Sequence, residues 1–185
     1  KAIEILELPD EAKIPMIQHI GAPSNPVVKK GDKVLTGQLI GQSTGHVSAN
    51  IHSSISGTVT AVDAYPNGQG QRRLMVVIKR EGDEWMPEID RTPDHKRGCT
   101  LAPNEIIDKI REAGIVGLGG AQFPTHVKLS VPDGQKAEVL IINGVECEPY
   151  LTSDYRNMLE RAEELLTGVE ILMRAINVER AVIGV

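Results

Sequence analysis

Near residue 90 the spacing of apolar side chains changes, and the change restricts the chain to two unlike parts. Before it, apolar residues come in short runs cut by turn formers. Pro26 to Gly41 reads as strand, turn, strand, with Gly31-Asp32 at the turn and Gly37 and Gly41 punctuating the second strand. Val47 to Ala49 predicts another short strand. Ile55, Val59 and Ala61 mark one face of a further strand, Asn67-Gly68 a tight turn, and Leu74 to Ile78 the strand after it. Closely spaced short strands predict a small β sandwich or barrel over residues 1–90. Met86 to Arg97 is polar, carries two prolines and reads as a linker. Beyond it the period lengthens. Pro103 to Ala113 predicts an amphipathic helix with Ile106, Ile107 and Ile110 on one face, stopped by Gly114. Ala137 to Ile142 predicts a strand buried on both faces. Tyr155 to Ile176 predicts one long helix with Leu159, Ala162, Leu166, Val169 and Met173 in a stripe, capped by Thr152 or Ser153. Arg180 to Val185 opens another strand. Strand, helix, strand is a βαβ unit, so residues 91–185 predict an α/β domain, truncated, with a parallel pair.

Composition narrows the function. One Phe and one Trp stand against 18 Gly and 11 Pro, so the core is built from Ile, Val, Leu and Ala, and loops bind through backbone. A net charge of −5 argues against the basic face of a nucleic-acid binder. No apolar run approaches the roughly 20 residues that span a bilayer. The chain starts at Lys1 with no signal-peptide core and ends inside an apolar run, so a piece of a longer protein is expected. Cys99 and Cys147 form no C-x-x-C pair, and His19, His46, His52, His95 and His126 show no ligand spacing. No metal site and no catalytic side chain is therefore assigned, and nothing contradicts a reducing compartment.

Two loops carry the chemistry. Between Gly114 and Lys128, four glycines fall within seven residues, followed by Phe123-Pro124. Such a loop brings backbone N–H groups close to a phosphate or a flat ring, and Lys128 adds a positive charge. It is no dinucleotide fingerprint: the G-x-G-x-x-G frame from Gly117 ends on Gln122, and the loop follows a helix. An ordinary glycine-rich connection is an equal reading from spacing alone. Asn143 to Tyr150 follows the predicted strand directly, where open α/β sheets bind ligands, and supplies an amide, two carboxylates, a thiol and a phenol. The bland alternative is a solvated polar loop. In the first part, Gly31-Asp-x-Val34 and Gly37-Gln-x-Ile-Gly41 resemble lipoyl and biotinyl carrier domains. The stretch Ala49 to Ser56, where those carriers modify a Lys, has none, so a structural or docking module is expected instead.

Three segments together resemble the C subunit of the bacterial Rnf electron-transport complex. They are Ile17-Gln-His-Ile-Gly-Ala-Pro23, Gly114 to Leu129, and Ile141-Ile-Asn-Gly-Val-Glu-Cys-Glu-Pro-Tyr150. A more distant similarity runs to the flavin-binding subunit of respiratory complex I. The resemblance implies α/β plus all-β: a small barrel-sandwich, lipoyl-like domain over residues 1–90, then a Rossmann-like α/β domain over 91–185. It implies FMN and NAD(H) as cofactors, with the cofactors carrying the electron chemistry. Gly117, Gly119, Gly120 and Ala121 would line flavin and NADH, Phe123 would pack on the dinucleotide, and Lys128 would stand near the flavin phosphate. Asn143 matches a flavin-binding Asn; Glu146 and Glu148 match two acidic positions, Glu148 the one near the nicotinamide. Leu118, Gln122 and Val145 depart from the pattern, standing where Arg, Gly and Asp are usual. Family members carry 4Fe–4S clusters on a Cys-rich segment; two cysteines cannot hold one cluster, so that segment is expected beyond Val185.

The resulting expectation is the NADH-side subunit of a membrane-bound, ion-translocating complex. It would be peripheral on the cytoplasmic face of the bacterial inner membrane, with the other subunits and a ferredoxin-type carrier as partners. The alternatives are a docking scaffold without flavin, and a subunit of the related sodium-pumping NADH:quinone reductase.

Overall fold

The computed structural model describes residues 2–92 and 98–185. Its contacts divide the chain into two compact units. The β unit comprises Glu7–Arg91 together with Ile110–Val127; the α/β unit comprises Lys1–Leu6, Thr92–Lys109 and Lys128–Val185. The glycine-rich loop thus belongs to the unit that holds the short strands, although it follows them by some thirty residues of chain.

The β unit has seven strands: β1 (Glu11–Pro15), β2 (Asn25–Pro26), β3 (Lys33–Val34), β4 (Leu39–Gln42), β5 (Ile51–His52), β6 (Gly57–Pro66) and β7 (Arg72–Arg80). They form an antiparallel sheet in the order β1-β7-β6-β3 and a smaller antiparallel sheet in the order β2-β4-β5. Both sheets feed one core. Ile14, Val34, Val59, Val76 and Ile78 come from the larger sheet, Ile40 and Ile51 from the smaller, and all are buried together. That is a sandwich closed by aliphatic side chains, as a chain nearly devoid of aromatics requires. The β6–β7 hairpin turns at Asn67, whose Oδ1 accepts the N–H groups of Gln69 (3.0 Å) and Gln71 (2.9 Å). A register slip between Val59 and Ala61 bulges β6 and spoils strict alternation there.

The expected strand at Val47–Ala49 is absent, and β5 begins at Ile51 instead. Residues 47–49 are tied sideways to 19–24. The N–H of Ala22 donates to Val47 O (3.0 Å), Ser48 Oγ to Ala22 O (2.9 Å), and Ser24 Oγ to Ala49 O (2.6 Å). Side-chain hydroxyls satisfy this buried backbone, so no ladder is needed.

In the α/β unit, β8 (Leu140–Asn143) and β9 (Ala181–Gly184) pair in parallel, with Ile141 opposite Val182. Between them run α3 (Ser153–Glu160) and α4 (Ala162–Ala175). Helix α1 (Pro103–Glu112) and helix α2 (Thr125–Leu129) precede them, each lying across the division in sequence. Three expectations are corrected. The strand begins at Leu140, and only one face is covered: Leu140 and Ile142 are half-buried while Ile141 is 70% exposed. The single helix from Tyr155 is two helices, interrupted at Arg161 (φ −130°, ψ 34°), and its stripe is buried only at Val169, Leu159 and Leu166 being exposed. Thr152 occupies the N-cap of α3 without a side-chain cap bond; Glu146 supplies the acceptor. Helix α1 begins at Pro103 as expected and ends at Glu112 before Gly114. The part of the expected linker from 93 to 97, with His95, lies outside the described residues.

Candidate functional site

The glycine-rich segment is a loop closed on itself. Val116 bridges Pro124, the N–H of Gly117 donates to Phe123 O (2.9 Å), and that of Thr125 to Ile115 O (2.9 Å). Pro124 is fully buried and Phe123 half-buried, so the closing end is held by packing. The tip, residues 118–122, is exposed, Leu118 to 93%. At the tip the N–H of Gln122 donates to Gly119 O (3.1 Å) and Ala121 O accepts the N–H of Ile20 (3.1 Å). No acceptor among the described residues takes the N–H groups of Leu118, Gly119, Gly120 or Ala121. Gly120 has φ +51°, and nothing stands within 4 Å of where its Cβ would be. Open space beside unengaged donors is the arrangement that suits an anionic group such as the phosphate of FMN. Lys128 is exposed on α2. Gln122 takes φ +52°, the left-handed region that glycine adopts without cost. The departure noted at this position therefore carries strain as well as a side chain.

The second segment lies in the other unit, at the carboxyl end of β8. Asn143 is exposed, and its Oδ1 accepts the N–H of Val145 (3.1 Å), a local turn. Glu146 Oε1 accepts the N–H of Tyr155 (3.0 Å) and its Oε2 the hydroxyl of Ser153 (3.3 Å), so this carboxylate holds the start of α3. Glu148 and Cys147 are exposed, and the Glu148 side chain takes no partner among the described residues. Tyr150 is wholly exposed at φ +70°. The expected site residues thus fall in the β unit from Gly117 to Phe123, and in the α/β unit at Lys128 and from Asn143 to Glu148.

The β unit adds residues that periodicity missed. His19 is buried; the N–H of Ala49 donates to its Nε2 (3.2 Å), so Nδ1 carries the proton and donates to Ile20 O (3.0 Å). Asn50 Oδ1 accepts the N–H of Ser43 (3.0 Å), and its Nδ2 donates to Glu112 O (3.1 Å) at the end of α1. Both residues, with Gln18, His52, Gly114 and Val116, line an open cavity of about 220 Å³. Burial holds the His52 imidazole below its ordinary value of 6.5. Burial, then the Arg111 charge, does the same for His126. The sequence signal for His19 was the Ile17–Pro23 motif itself; Asn50 carried none, because its partner is 62 positions away. Among the described residues, no three of His, Cys, Asp and Glu converge on a metal-sized site.

Residues 1–83 match the RnfC barrel sandwich hybrid domain, and residues 110–185 match the Nuo51 FMN-binding domain. The chain is 50% identical, over its whole length, to the C subunit of the proton-translocating ferredoxin:NAD(+) oxidoreductase complex of Clostridium ljungdahlii. It is 45% identical over 96% of its length to the C subunit of the Na(+)-translocating ferredoxin:NAD(+) oxidoreductase complex of Acetobacterium woodii. It is 44% identical over 99% of its length to the C subunit of the ion-translocating oxidoreductase complex of Rhodobacter capsulatus. These alignments cover 40%, 40% and 35% of the three relatives, so the chain spans about two fifths of their length. The FMN-binding match begins at Ile110, so the loop that groups by contacts with the β unit lies within the stretch that matches the FMN-binding domain.

Proposed function

We propose, from the premise that this chain belongs to the family of RnfC-type subunits of ion-translocating oxidoreductase complexes, that it binds FMN and serves the NADH side of such a complex. Its reaction would move electrons between NAD(H) and ferredoxin, in company with the other subunits. The observation that supports this most is the open glycine loop with four unengaged N–H groups, inside a stretch that matches an FMN-binding domain. Relatives named for protons and for sodium ions match the same residues, so the match carries no coupling ion.

The chain's own residues divide the work. The N–H groups of Gly119, Gly120 and Ala121 bind the FMN phosphate, with the Lys128 ammonium adding charge. Gly117 keeps the loop closed through Phe123, whose ring offers an apolar wall. Asn143 presents its amide at the carboxyl end of β8. Glu146 anchors α3, which leaves Glu148 as the free carboxylate for the nicotinamide side. Bound FMN would supply the exchange between a hydride pair and single electrons. The parallel pair β8–β9 is read as the start of a Rossmann-like domain. The 4Fe–4S clusters are assigned to a part of the protein other than these residues. No described helix is long and apolar enough to cross a membrane. A peripheral seat on the cytoplasmic face of the bacterial inner membrane accords with that.

Quenching of FMN fluorescence by added protein tests the reading, with riboflavin as the control that lacks the phosphate. Saturable quenching of FMN but not of riboflavin is expected, and Gly119→Arg should abolish it by filling the loop. Equal behaviour of the two flavins, or no quenching of either, overturns it.

A further inference from the structure

The glycine loop is held in place by the β unit at two points, one at its root and one at its tip. At the root, the Asn50 side chain spans two backbones, accepting from Ser43 and donating to Glu112 O. Glu112 is the last residue of α1, so this bond satisfies a carbonyl that the helix leaves without an internal partner. Gly114, two residues on, has φ +68°, and a Cβ there would overlap the Asn50 carbonyl oxygen. Backbone and side chain of one asparagine thus set where α1 stops and where the loop starts. At the tip, the N–H of Ile20 donates to Ala121 O (3.1 Å). Ile20 is positioned in turn by its neighbour His19, whose two ring nitrogens are engaged by Ile20 O and by the N–H of Ala49, the residue before Asn50. Residues 19–20 and 49–50 form a single hydrogen-bonded bracket under the loop.

We infer that Asn50 is a positioning residue for the flavin loop, and that the barrel-sandwich domain holds that loop in its binding shape. The inference rests on the flavin reading above, because it takes the loop to be a phosphate cradle. Backbone donors that share one anion act together only if the loop is fixed in advance; otherwise binding must first order it. A bracket from a packed β core provides that fixation without touching the ligand.

The test compares Asn50→Ala and Asn50→Asp with the unaltered chain. Asp keeps the acceptor for Ser43 but cannot donate to Glu112 O, and it sets a negative charge beside a helix C-terminus. Val62→Ala, at a partly buried position against the core, is the control for general destabilisation. Hydrogen exchange is read at the bonded amides of Ile115, Gly117 and Thr125 and at Val76 to Ile78 in β7. Both Asn50 variants should speed exchange in the loop by about tenfold, the effect of one lost hydrogen bond, whereas Val62→Ala should speed β7 and leave the loop unchanged. FMN affinity should fall by a similar factor in both, and not in Val62→Ala. Loop exchange that is unaltered in the Asn50 variants, or that Val62→Ala speeds as much, overturns the inference, as does wild-type behaviour of Asn50→Asp. If the unaltered chain binds no FMN, the flavin reading fails, and loop exchange alone still decides whether Asn50 positions the loop.

Discussion

Gln122 is where the conflict between residue and backbone is sharpest. Its φ of +52° belongs to glycine, and a residue with a Cβ pays roughly 1 kcal/mol to stay there. Gln122→Gly relieves that strain but gains freedom in the unfolded chain, so a net stabilisation of about 0.5 kcal/mol is expected, read as a raised urea midpoint. A lowered midpoint would mean that the glutamine side chain makes a contact worth more than the strain. His52 gives a second prediction at this scale. Its folded-state pKa lies below the unfolded value of 6.5 because of burial. The unfolded chain therefore takes up the proton first as pH falls, and the stability that neutral His52 confers above 6.5 is lost on the way down to the folded pKa. Unfolding free energy should decline from pH 7 to pH 5.5, and less steeply in His52→Gln. The remaining slope belongs to His126, depressed by burial and by Arg111. An unaltered slope in His52→Gln would show that the imidazole is not desolvated.

At the scale of elements, turn chemistry and the bounds of α1 were legible; the break at Arg161 and the cap of α3 were not. Pro103 and Gly114 bracket α1 as their stereochemistry demands, and Asn67 turns the β6–β7 hairpin through its own amide. The start of α3 departs from expectation: Thr152 stands at the N-cap without a cap bond, Ser153 is the first helical residue, and the acceptor for Tyr155 N–H comes from Glu146, nine positions away. Local capping rules do not reach that far. Glu146→Ala should free the first turn of α3 and cost about 1 kcal/mol, seen as faster exchange at Tyr155; Glu146→Gln, which keeps an oxygen acceptor, should cost less. Equal loss in both variants would point to charge rather than to the hydrogen bond. The candidate site was legible as two segments, because glycine clustering and a polar loop after a strand are both local patterns. The division of labour between Glu146 and Glu148 was not, because it depends on which carboxylate the fold occupies.

For the whole molecule, the two units differ in how much they bury. The β unit seals nine residues into one cluster, seven of them from its two sheets, with Val59, Val76 and Ile78 fully inaccessible. In the α/β unit the register partners Ile141 and Val182 are 70% and 43% exposed, and α3 buries no residue. Parallel strands are stable when both faces are covered, and here one is open. Amides of β7 should therefore exchange only through the largest opening of the chain, and those of β8 and β9 through a smaller one. Simultaneous exchange of both sets would show a single cooperative unit.

Some properties of this protein needed only the order of its residues. Two kinds of structure, an aliphatic core, the turns, α1, the two candidate segments and the family resemblance all follow from local stereochemistry and spacing, which act within a few positions. Other properties belong to the fold. The grouping of residues 110–127 with the β unit, the two-point bracket of His19, Ile20 and Asn50, the remote cap on α3 and the pairing of β8 with β9 join positions that are 9 to 101 residues apart. No periodicity encodes such pairs. They are settled when a polar group left without a local partner meets whichever group the packed fold has brought within 3 Å or so of it.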